Sequence, residues 1–340
     1  MSVNDFKNVI LSRTLDILWR QWSALGVFGS APVWEKTVID PEALILATCY
    51  FGRYEARLFD TMLEWLLMQN SCINVQRLKG VSITGLFSGK PLLSAIADMM
   101  PTPGQRLKWS ACAVPRQHTK DLERQPLFFL QSGQPLPVVG QLDDCFKAHG
   151  YLRNPFSVRG VTGKFDSQNK ACLLLKLRAL IGVSARADIL AYLMCHTSGS
   201  PRSMARFLMF YPATIAKALV EMEESGCISH VGDGLKKMYT LTEPILNCSA
   251  DKHEVLPMPN WIILFNALER LHLFCNSSER SNESALEQAS GLRHLLDDEH
   301  VLSQLQQSGI RLRSRALQNY RGEAILTETQ QLVDDLFKEL

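Results

Sequence analysis

Apolar residues recur at every third or fourth position through most of the 340-residue chain, a spacing typical of amphipathic helices. This pattern first predicts a helix over residues 5–25. A second helix is predicted from Asp40, an N-cap followed by proline and an acidic residue, to a break at Gly52. A third ends near Asn70, and a short fourth covers Val75–Leu78. The last three predict either a degenerate helix-turn-helix or a simple helical packing unit.

The helical pattern weakens after a further helix predicted over residues 84–100. The segment PLFFLQSGQPLP, which begins at Pro126, predicts a strand pair around Ser132-Gly133. The stretch Asp143–Leu152 predicts a short helix stopped at Gly150. Because this region is rich in Pro, Gly and Gln, we expect a domain boundary within it.

The clearest pattern lies in Ala185–Leu241, where the sequence predicts three short helices. Ser200 is placed as the N-cap of the second helix and Pro201 as its first residue, Pro212 opens the third helix, and Gly226 ends it. The apolar sides of the three helices consist of Ile189, Leu190, Leu193 and Met194, then Met204, Ala205 and Leu208, then Ile215, Leu219 and Met222.

Two strands are predicted after the third helix, Cys227–Val231 and Met238–Leu241. Gly232-Asp233-Gly234 between them is a strong hairpin signal. Helix, helix-turn-helix and β-hairpin in that order are the plan of a winged helix-turn-helix domain. In this plan a three-helix core holds the third helix outwards, so that its N-terminal half can enter the major groove of DNA. A preceding helix over Asn169–Leu180 is expected to pack on this core and to offer dimer contacts.

The predicted fold class is therefore mainly α, with a winged helix-turn-helix domain of three helices and a β-hairpin wing flanked by helical domains. We place a helical N-terminal domain at 1–104, a loop-rich connector with short strands at 105–164, the winged-helix domain at 165–244 and a helical C-terminal domain at 259–340. The C-terminal domain contains four arginines without a nearby acid, which either touch DNA, RNA or an acidic partner or, as we favour, face solvent: Arg311, Arg313, Arg315 and Arg321.

Composition restricts the function more than it identifies it. The net charge is +2 with 21% charged residues, so the chain as a whole does not attract nucleic acid, and any DNA site requires a local patch. No apolar run approaches the ~18 residues of a membrane span, and no signal-peptide pattern begins the chain. We therefore expect a cytoplasmic protein without a membrane partner.

Candidate chemistry is sparse. The nine cysteines are widely spaced without a CxxC pair, which indicates reduced thiols in the core rather than a metal site. No motif for a catalytic nucleophile, a phosphate-binding loop or a metalloprotease is present. The sequence thus predicts no enzyme activity, no catalytic residue, no metal site and no cofactor.

The block from Leu173 to Leu241 resembles winged-helix transcriptional regulators of the ArsR/MarR type. The resemblance rests on LLLKLRALIGVSARADILAYL, on SPRSMARFLMFYPATIAKALVEMEESG and on CISHVGDGLKKMYTL, in which Tyr239 and Leu241 match the closing wing strand. It implies a winged-helix fold that binds DNA or, in some members of the fold, only protein. Metal-sensing members carry close cysteine pairs near the recognition helix. This chain lacks them, so metal sensing is not implied.

The expected function is that of a sequence-specific DNA-binding regulator that acts as a homodimer on double-stranded DNA. Arg202 and Arg206 are expected to hold phosphates, and Lys236 and Lys237 to hold the wing on DNA. The residues expected at base edges are Tyr211, Thr214 and Lys217.

The charge of the predicted DNA-binding unit is nearly balanced, since six basic residues face five acidic ones over Ala185–Leu241. DNA binding is therefore expected to need a second copy of the chain or a flanking arm. The basic stretch Arg153–Arg178 is either such an arm or a solvated linker and helix face. The alternative function is an antitoxin-like scaffold whose winged helix docks a partner protein.

Overall fold

A computed structural model describes residues 3–113, 124–243, 255–277, 283–312, 317–320 and 322–340. Within these ranges the chain forms 15 α-helices and two small two-stranded sheets, so the predicted mainly helical character is confirmed. No helix in the same ranges combines the length and apolar character needed to cross a membrane.

Six helices form the N-terminal third, and three of them begin at a side-chain N-cap. The six are α1 Val3–Ala24, α2 Pro41–Phe51, α3 Ala56–Gln69, α4 Val75–Ile83, α5 Lys90–Met99 and α6 Pro103–Trp109. The Asp40 side chain accepts a hydrogen bond from the Ala43 N–H at 3.1 Å, as expected of the predicted N-cap. The helix predicted over residues 84–100 begins only at Lys90. A turn containing Gly85, with φ of +74°, separates it from α4.

The connector contains less regular structure than predicted. Two short strands, β1 Gln125–Pro126 and β2 Tyr151–Leu152, pair in parallel on either side of α7 Asp144–Ala148. The strand pair predicted around Ser132-Gly133 is reduced to a bridge between Phe129 and Pro135. Proline lacks the N–H that a longer ladder would use, so pairing stops there.

The next part of the chain builds a small core of its own from four helices and a hairpin. The elements are α8 Leu173–Ile181, α9 Ala185–His196, α10 Pro201–Leu208, α11 Pro212–Glu224, β3 Ile228–Val231 and β4 Met238–Leu241. The strands are antiparallel, with Ile228 opposite Leu241 and Val231 opposite Met238. Ile189, Met204, Leu208 and Ile215 lie in this core and are fully buried. The predicted apolar faces of the three short helices therefore do meet in one core.

A larger core joins the two ends of the chain. The C-terminal helices are α12 Trp261–Asn276, α13 Ala285–Asp297, α14 Val301–Gln307 and α15 Ala324–Glu339. Helix α12 packs against α1 and α2, and residues from all three helices belong to one hydrophobic cluster. The Trp261 Nε1–H donates to the Val38 carbonyl at 2.8 Å, and the Trp261 and Trp34 rings meet edge to face. Residues of the proposed N-terminal and C-terminal domains thus share a core, while the proposed boundaries stay a prediction.

Five buried charged side chains join the N-terminal helices to α8 and α9. Arg77 contacts Asp40 at 2.5 Å and Glu42 at 2.6 Å, and Arg178 contacts Glu42 at 2.7 Å and Asp188 at 2.8 Å. Each of these side chains is at most 6% exposed. We call this group the buried ion-pair network. It fixes the small core against the N-terminal helices, because removing any member leaves at least one buried charge with fewer partners.

The network perturbs its carboxyl groups in opposite directions. Burial alone would raise the pKa of Asp40, but the adjacent Arg77 lowers the pKa below its usual value. Burial raises the pKa of Asp188 despite Arg178 and Arg77 beside it, and Glu42 adds to the rise. The two arginines stay charged, because the carboxylates raise their pKa against the effect of burial.

The interpretation of Arg153–Arg178 as a phosphate-contacting arm is wrong for the two arginines that bound it. Arg153 is buried, contacts Asp60 at 2.8 Å and stacks on the Phe146 ring. Arg178 belongs to the buried ion-pair network. Guanidinium groups that are already paired inside the protein are not free for phosphates. The exposed cations of this stretch are Arg159, Lys164 and Lys170.

Candidate nucleic-acid interface

Helix α10 starts at a capping box and is joined to α11 by a short turn. The Ser200 hydroxyl accepts a hydrogen bond from the Ser203 N–H at 3.1 Å, and the Ser203 hydroxyl accepts one from the Ser200 N–H at 3.0 Å. This reciprocal capping box starts α10, and Pro201 follows at the first helical position, as predicted. The helix ends at Met209, whose left-handed backbone has φ of +56°. Pro212 then starts α11.

The hairpin is tied to this helix pair through Gly199. The Gly199 N–H donates to the Tyr239 carbonyl at 3.0 Å, and the Tyr239 N–H donates back at 2.9 Å. His230 on β3 also pairs with Glu223 on α11. These contacts hold β3 and β4 beside the C-terminal end of α11, while the loop between the strands, with Lys236 and Lys237, extends away from the core.

Helix α11 has one buried side and one solvent side. Ile215, Leu219 and Met222 face the core. On the other side Tyr211 is 73% exposed, the Lys217 side chain is 80% exposed, and Thr214 is exposed between them. All three residues predicted to reach base edges therefore lie on the solvent side of the helix.

The structure brings some of the predicted DNA-contacting residues together. Arg202, Arg206 and Tyr211 line a common cavity beside the turn from α10 to α11. Lys236 and Lys237 lie on a separate element, the loop between β3 and β4, where Lys236 is exposed and Lys237 is half-buried. The seven predicted residues thus form two groups, one along α10 and α11 and one on the hairpin.

The charges on this surface are unevenly paired. Among the described residues, no carboxylate forms an ion pair with Arg202 or Arg206, so both guanidinium groups are available to an outside anion. Lys217 lies 4.0 Å from Glu221, which also contacts Arg186 at 3.3 Å. The positive potential is therefore concentrated on α10 and the hairpin loop, and the C-terminal half of α11 is acidic.

The sequence did not predict that α4 would form one wall of this surface. The Arg77 Nε–H donates to the Leu208 carbonyl at 2.7 Å, directly before the turn, and Gly80, Ile83 and Thr84 line the same cavity as Arg202 and Arg206. The available signal was a charged residue, Arg77, on the apolar side of a short helix. Only the fold shows which backbone it reaches, because the two residues are 131 positions apart.

A second group of titratable side chains lies between α2 and α12. Burial raises the pKa of Glu269 to about 7, although the hydrogen bond that it accepts from the Ser88 N–H lowers this pKa in part. Burial and nearby Lys7 lower the pKa of His272 to about 3, so the ring is neutral, and its Nδ1 and the Tyr50 hydroxyl share a hydrogen bond of 2.7 Å. The group is sealed in the larger core, with Glu269 and His272 at most 1% exposed. We therefore assign it to stability.

Other candidate chemistry is limited in the ranges that the structure describes. Across those residues, no three His, Cys, Asp or Glu side chains come together as a potential metal site. The eight cysteines there are free thiols, and Cys248 lies outside the described residues. Of the four C-terminal arginines, Arg311 is exposed, as favoured, and Arg313, Arg315 and Arg321 also lie outside the described residues.

Comparison with known proteins gives no relative from which a function could be transferred: no family model, no curated protein and no solved structure matches the chain.

Proposed function

We propose that the protein is a cytoplasmic, sequence-specific DNA-binding regulator that acts as a homodimer through a winged helix-turn-helix formed by α9, α10, α11 and the β3–β4 hairpin. The observation that carries the proposal is the solvent side of α11. Tyr211, Thr214 and Lys217 project from the N-terminal half of this helix, flanked by Arg202 and Arg206, which form no ion pair with any carboxylate in the described ranges. Such an arrangement suits a recognition helix in a major groove with cations over the phosphates.

The homodimer is proposed because one copy offers few cations. Acidic Glu221 offsets Lys217 and Arg186, which leaves two arginines and two hairpin lysines as the main phosphate ligands. Two copies double the number of phosphate contacts and raise the effective concentration of the second recognition helix. Their recognition helices are expected about 34 Å apart, because DNA half-sites recur once per helical turn.

A selection from a random duplex library, followed by binding titrations at several salt concentrations, tests the proposal. The parent protein is expected to enrich a palindromic sequence and to bind it with a steep salt dependence. Replacing Lys236 and Lys237 by alanine should reduce the slope of log K against log salt by about 2 per chain, since each lysine neutralises about one phosphate. Adding Lys217→Ala should abolish detectable binding.

A matched control removes three exposed cations far from α11 in sequence: Arg13→Ala, Lys36→Ala and Lys338→Ala. This variant has the same net charge as the Lys217, Lys236 and Lys237 triple variant. It should bind the selected duplex like the parent. Equal affinity of both triple variants would remove the assignment of DNA contacts to α11 and the hairpin.

A protein-docking function is the alternative, and one observation favours it. Apolar side chains are exposed on the C-terminal half of α11 and on the hairpin: Val220, Val231 and Met238. Charged or polar residues are more usual there in a protein that contacts only DNA. Under this alternative, α11 and the hairpin dock a partner protein, as in an antitoxin-like scaffold. Co-purification of a stoichiometric partner that Val220→Glu releases, with no duplex enriched in the selection, would decide for it.

A further inference from the structure

The cavity beside the α10–α11 turn has a volume of about 440 Å³, within the range of small-molecule sites. Helix α4 supplies one wall through Ile83, α10 supplies Arg202 and Arg206, and the turn supplies Met209 and Phe210. The cavity opens to solvent, since Ile83 is 55% exposed and both arginines are exposed. It is therefore accessible without any rearrangement of the fold.

The chemistry of the lining selects a ligand with one anionic end. Arg202 and Arg206 are four residues apart on α10 and therefore lie on the same side of the helix. No carboxylate among the described residues pairs with them, and no acidic residue lines the cavity. Two guanidinium groups can bind a carboxylate through charge-assisted hydrogen bonds, whereas a cationic ligand would be repelled.

The rest of the lining is mostly apolar. Ile83, Ala205, Met209, Phe210 and Pro212 offer no side-chain hydrogen bonds, and the Thr84 hydroxyl already donates to the Val81 carbonyl, so Tyr211 is the remaining polar side chain beside the arginines. A sugar or a nucleoside would lose most of its hydrogen bonds to water there without replacement, which is costly. A methionine side chain adapts its shape to flexible aliphatic chains. The wall thus favours an alkyl chain over a polar ring.

We propose that this cavity binds a small amphiphilic carboxylate, with its carboxyl group held by Arg202 and Arg206 and its aliphatic chain packed against Ile83, Met209 and Phe210. The site also has a regulatory consequence, which rests on the proposed function. Because Arg202, Arg206 and Tyr211 are proposed DNA contacts, the bound carboxylate competes with DNA for the same side chains.

Isothermal titration of the full chain with octanoate, in the absence of DNA, tests the site directly. Octanoate is expected to bind saturably at one molecule per chain. 1-Octanol, which lacks the charge, and acetate, which lacks the chain, should each bind about tenfold more weakly or less well still. In the Arg202→Ala, Arg206→Ala variant the affinity for octanoate should fall to that for octanol.

Ile83→Glu tests the same site from the opposite wall and carries little risk to folding, because Ile83 is more than half exposed. The new carboxylate should pair with the arginines and weaken octanoate binding by about tenfold or more, whereas the neutral Ile83→Gln should weaken it less. The Lys236→Ala, Lys237→Ala variant lies outside the cavity and should bind octanoate like the parent.

The outcomes separate the ligand site from the DNA-binding function. Saturable octanoate binding that depends on the arginines supports the site, even if no duplex is ever enriched. The site is overturned, whatever the DNA result, if octanoate does not bind saturably or if octanol binds equally well. It is also overturned if the double variant Arg202→Ala, Arg206→Ala and the single variant Ile83→Glu both bind octanoate like the parent. Where a duplex is enriched, octanoate should displace it and octanol should not.

Discussion

Gly199 is the residue on which the junction of hairpin and helices depends most directly. A Cβ atom there would lie 2.7 Å from Tyr192 Cε1 and 3.1 Å from Met204 Cγ. Both neighbours are held in the small core, so neither can withdraw freely. The absence of a side chain allows the backbone to reach Tyr239 and pair with it.

Gly199→Ala should therefore lower the free energy of unfolding by about 1–3 kcal/mol, the usual cost of overpacking. Urea denaturation followed by far-UV circular dichroism measures the change. Gly29→Ala is the control, because a Cβ at Gly29 meets no atom within 4 Å and its φ is not in the left-handed region. Equal stability of the two variants would contradict the packing described at Gly199.

Glu269 makes stability depend on pH in a direction opposite to that of most carboxylates. Its pKa rises from 4.5 in the unfolded chain to about 7 in the folded protein. The folded state thus binds the proton more tightly, and stability is lost as the pH rises from about 4.5 to about 7. His272, with its pKa lowered to about 3, acts in the other direction between about 3 and 6.5 and partly masks the effect in the parent protein.

Glu269→Gln isolates this contribution, because glutamine keeps the oxygen that accepts the Ser88 N–H. The variant should match the parent near pH 4 and exceed its stability by on the order of 3 kcal/mol near pH 8. Chemical denaturation at a series of pH values gives the difference. A difference that stays constant between these pH values would show that Glu269 titrates normally.

At the scale of elements, α10 is a short helix whose start depends on one serine. The Ser200 hydroxyl satisfies the Ser203 N–H, and the eight residues of α10 offer little helical stability by themselves. Ser200→Ala should cost about 1 kcal/mol in urea denaturation. Ser12→Ala, at an exposed position inside α1, should be neutral or slightly stabilising, since alanine is the better helix former. A neutral Ser200→Ala would contradict the capping role.

Local signals predicted most of these elements from sequence, and the exceptions share a physical cause. Caps at Asp40 and Ser200 and the glycine at 226 act over a few residues, so the helices that they bound were predictable. Whether Arg153 and Arg178 are buried or exposed depends on ion-pair partners far away in the chain, Asp60 and Glu42. A basic stretch has the same sequence pattern whether its guanidinium groups face solvent or buried carboxylates.

The candidate site was predictable to a similar extent. Helical spacing alone places Arg202 and Arg206 on one side of α10 and Tyr211, Thr214 and Lys217 on the open side of α11. The wall that α4 contributes was not predictable, because it follows from the buried ion-pair network and from the Arg77–Leu208 hydrogen bond. A cavity with walls from two elements requires those elements to be in contact, and periodicity describes only one element at a time.

At the scale of the whole molecule, the buried ion-pair network decides whether the small core stays fixed to the N-terminal helices. Arg178→Met removes a cation that contacts Glu42 and Asp188, and it leaves buried carboxylates underpaired. The variant should lose about 3–5 kcal/mol of unfolding free energy, measured by urea denaturation. Arg186→Met, which breaks the exposed pair with Glu221, should stay within about 1 kcal/mol of the parent. Similar losses in both variants would contradict the role of the network.

The packing of α12 on the N-terminal helices also orders events during synthesis on the ribosome. Trp261 and Val38, which are hydrogen-bonded, are 223 residues apart, so at about 5–20 residues per second α2 emerges roughly 10–45 s before its partner helix. The contacts among α9, α10, α11 and the hairpin are local and close within that interval. A nascent chain therefore carries a largely finished small core next to a larger core that is still incomplete, whose apolar surface is a natural target for chaperones until α12 arrives.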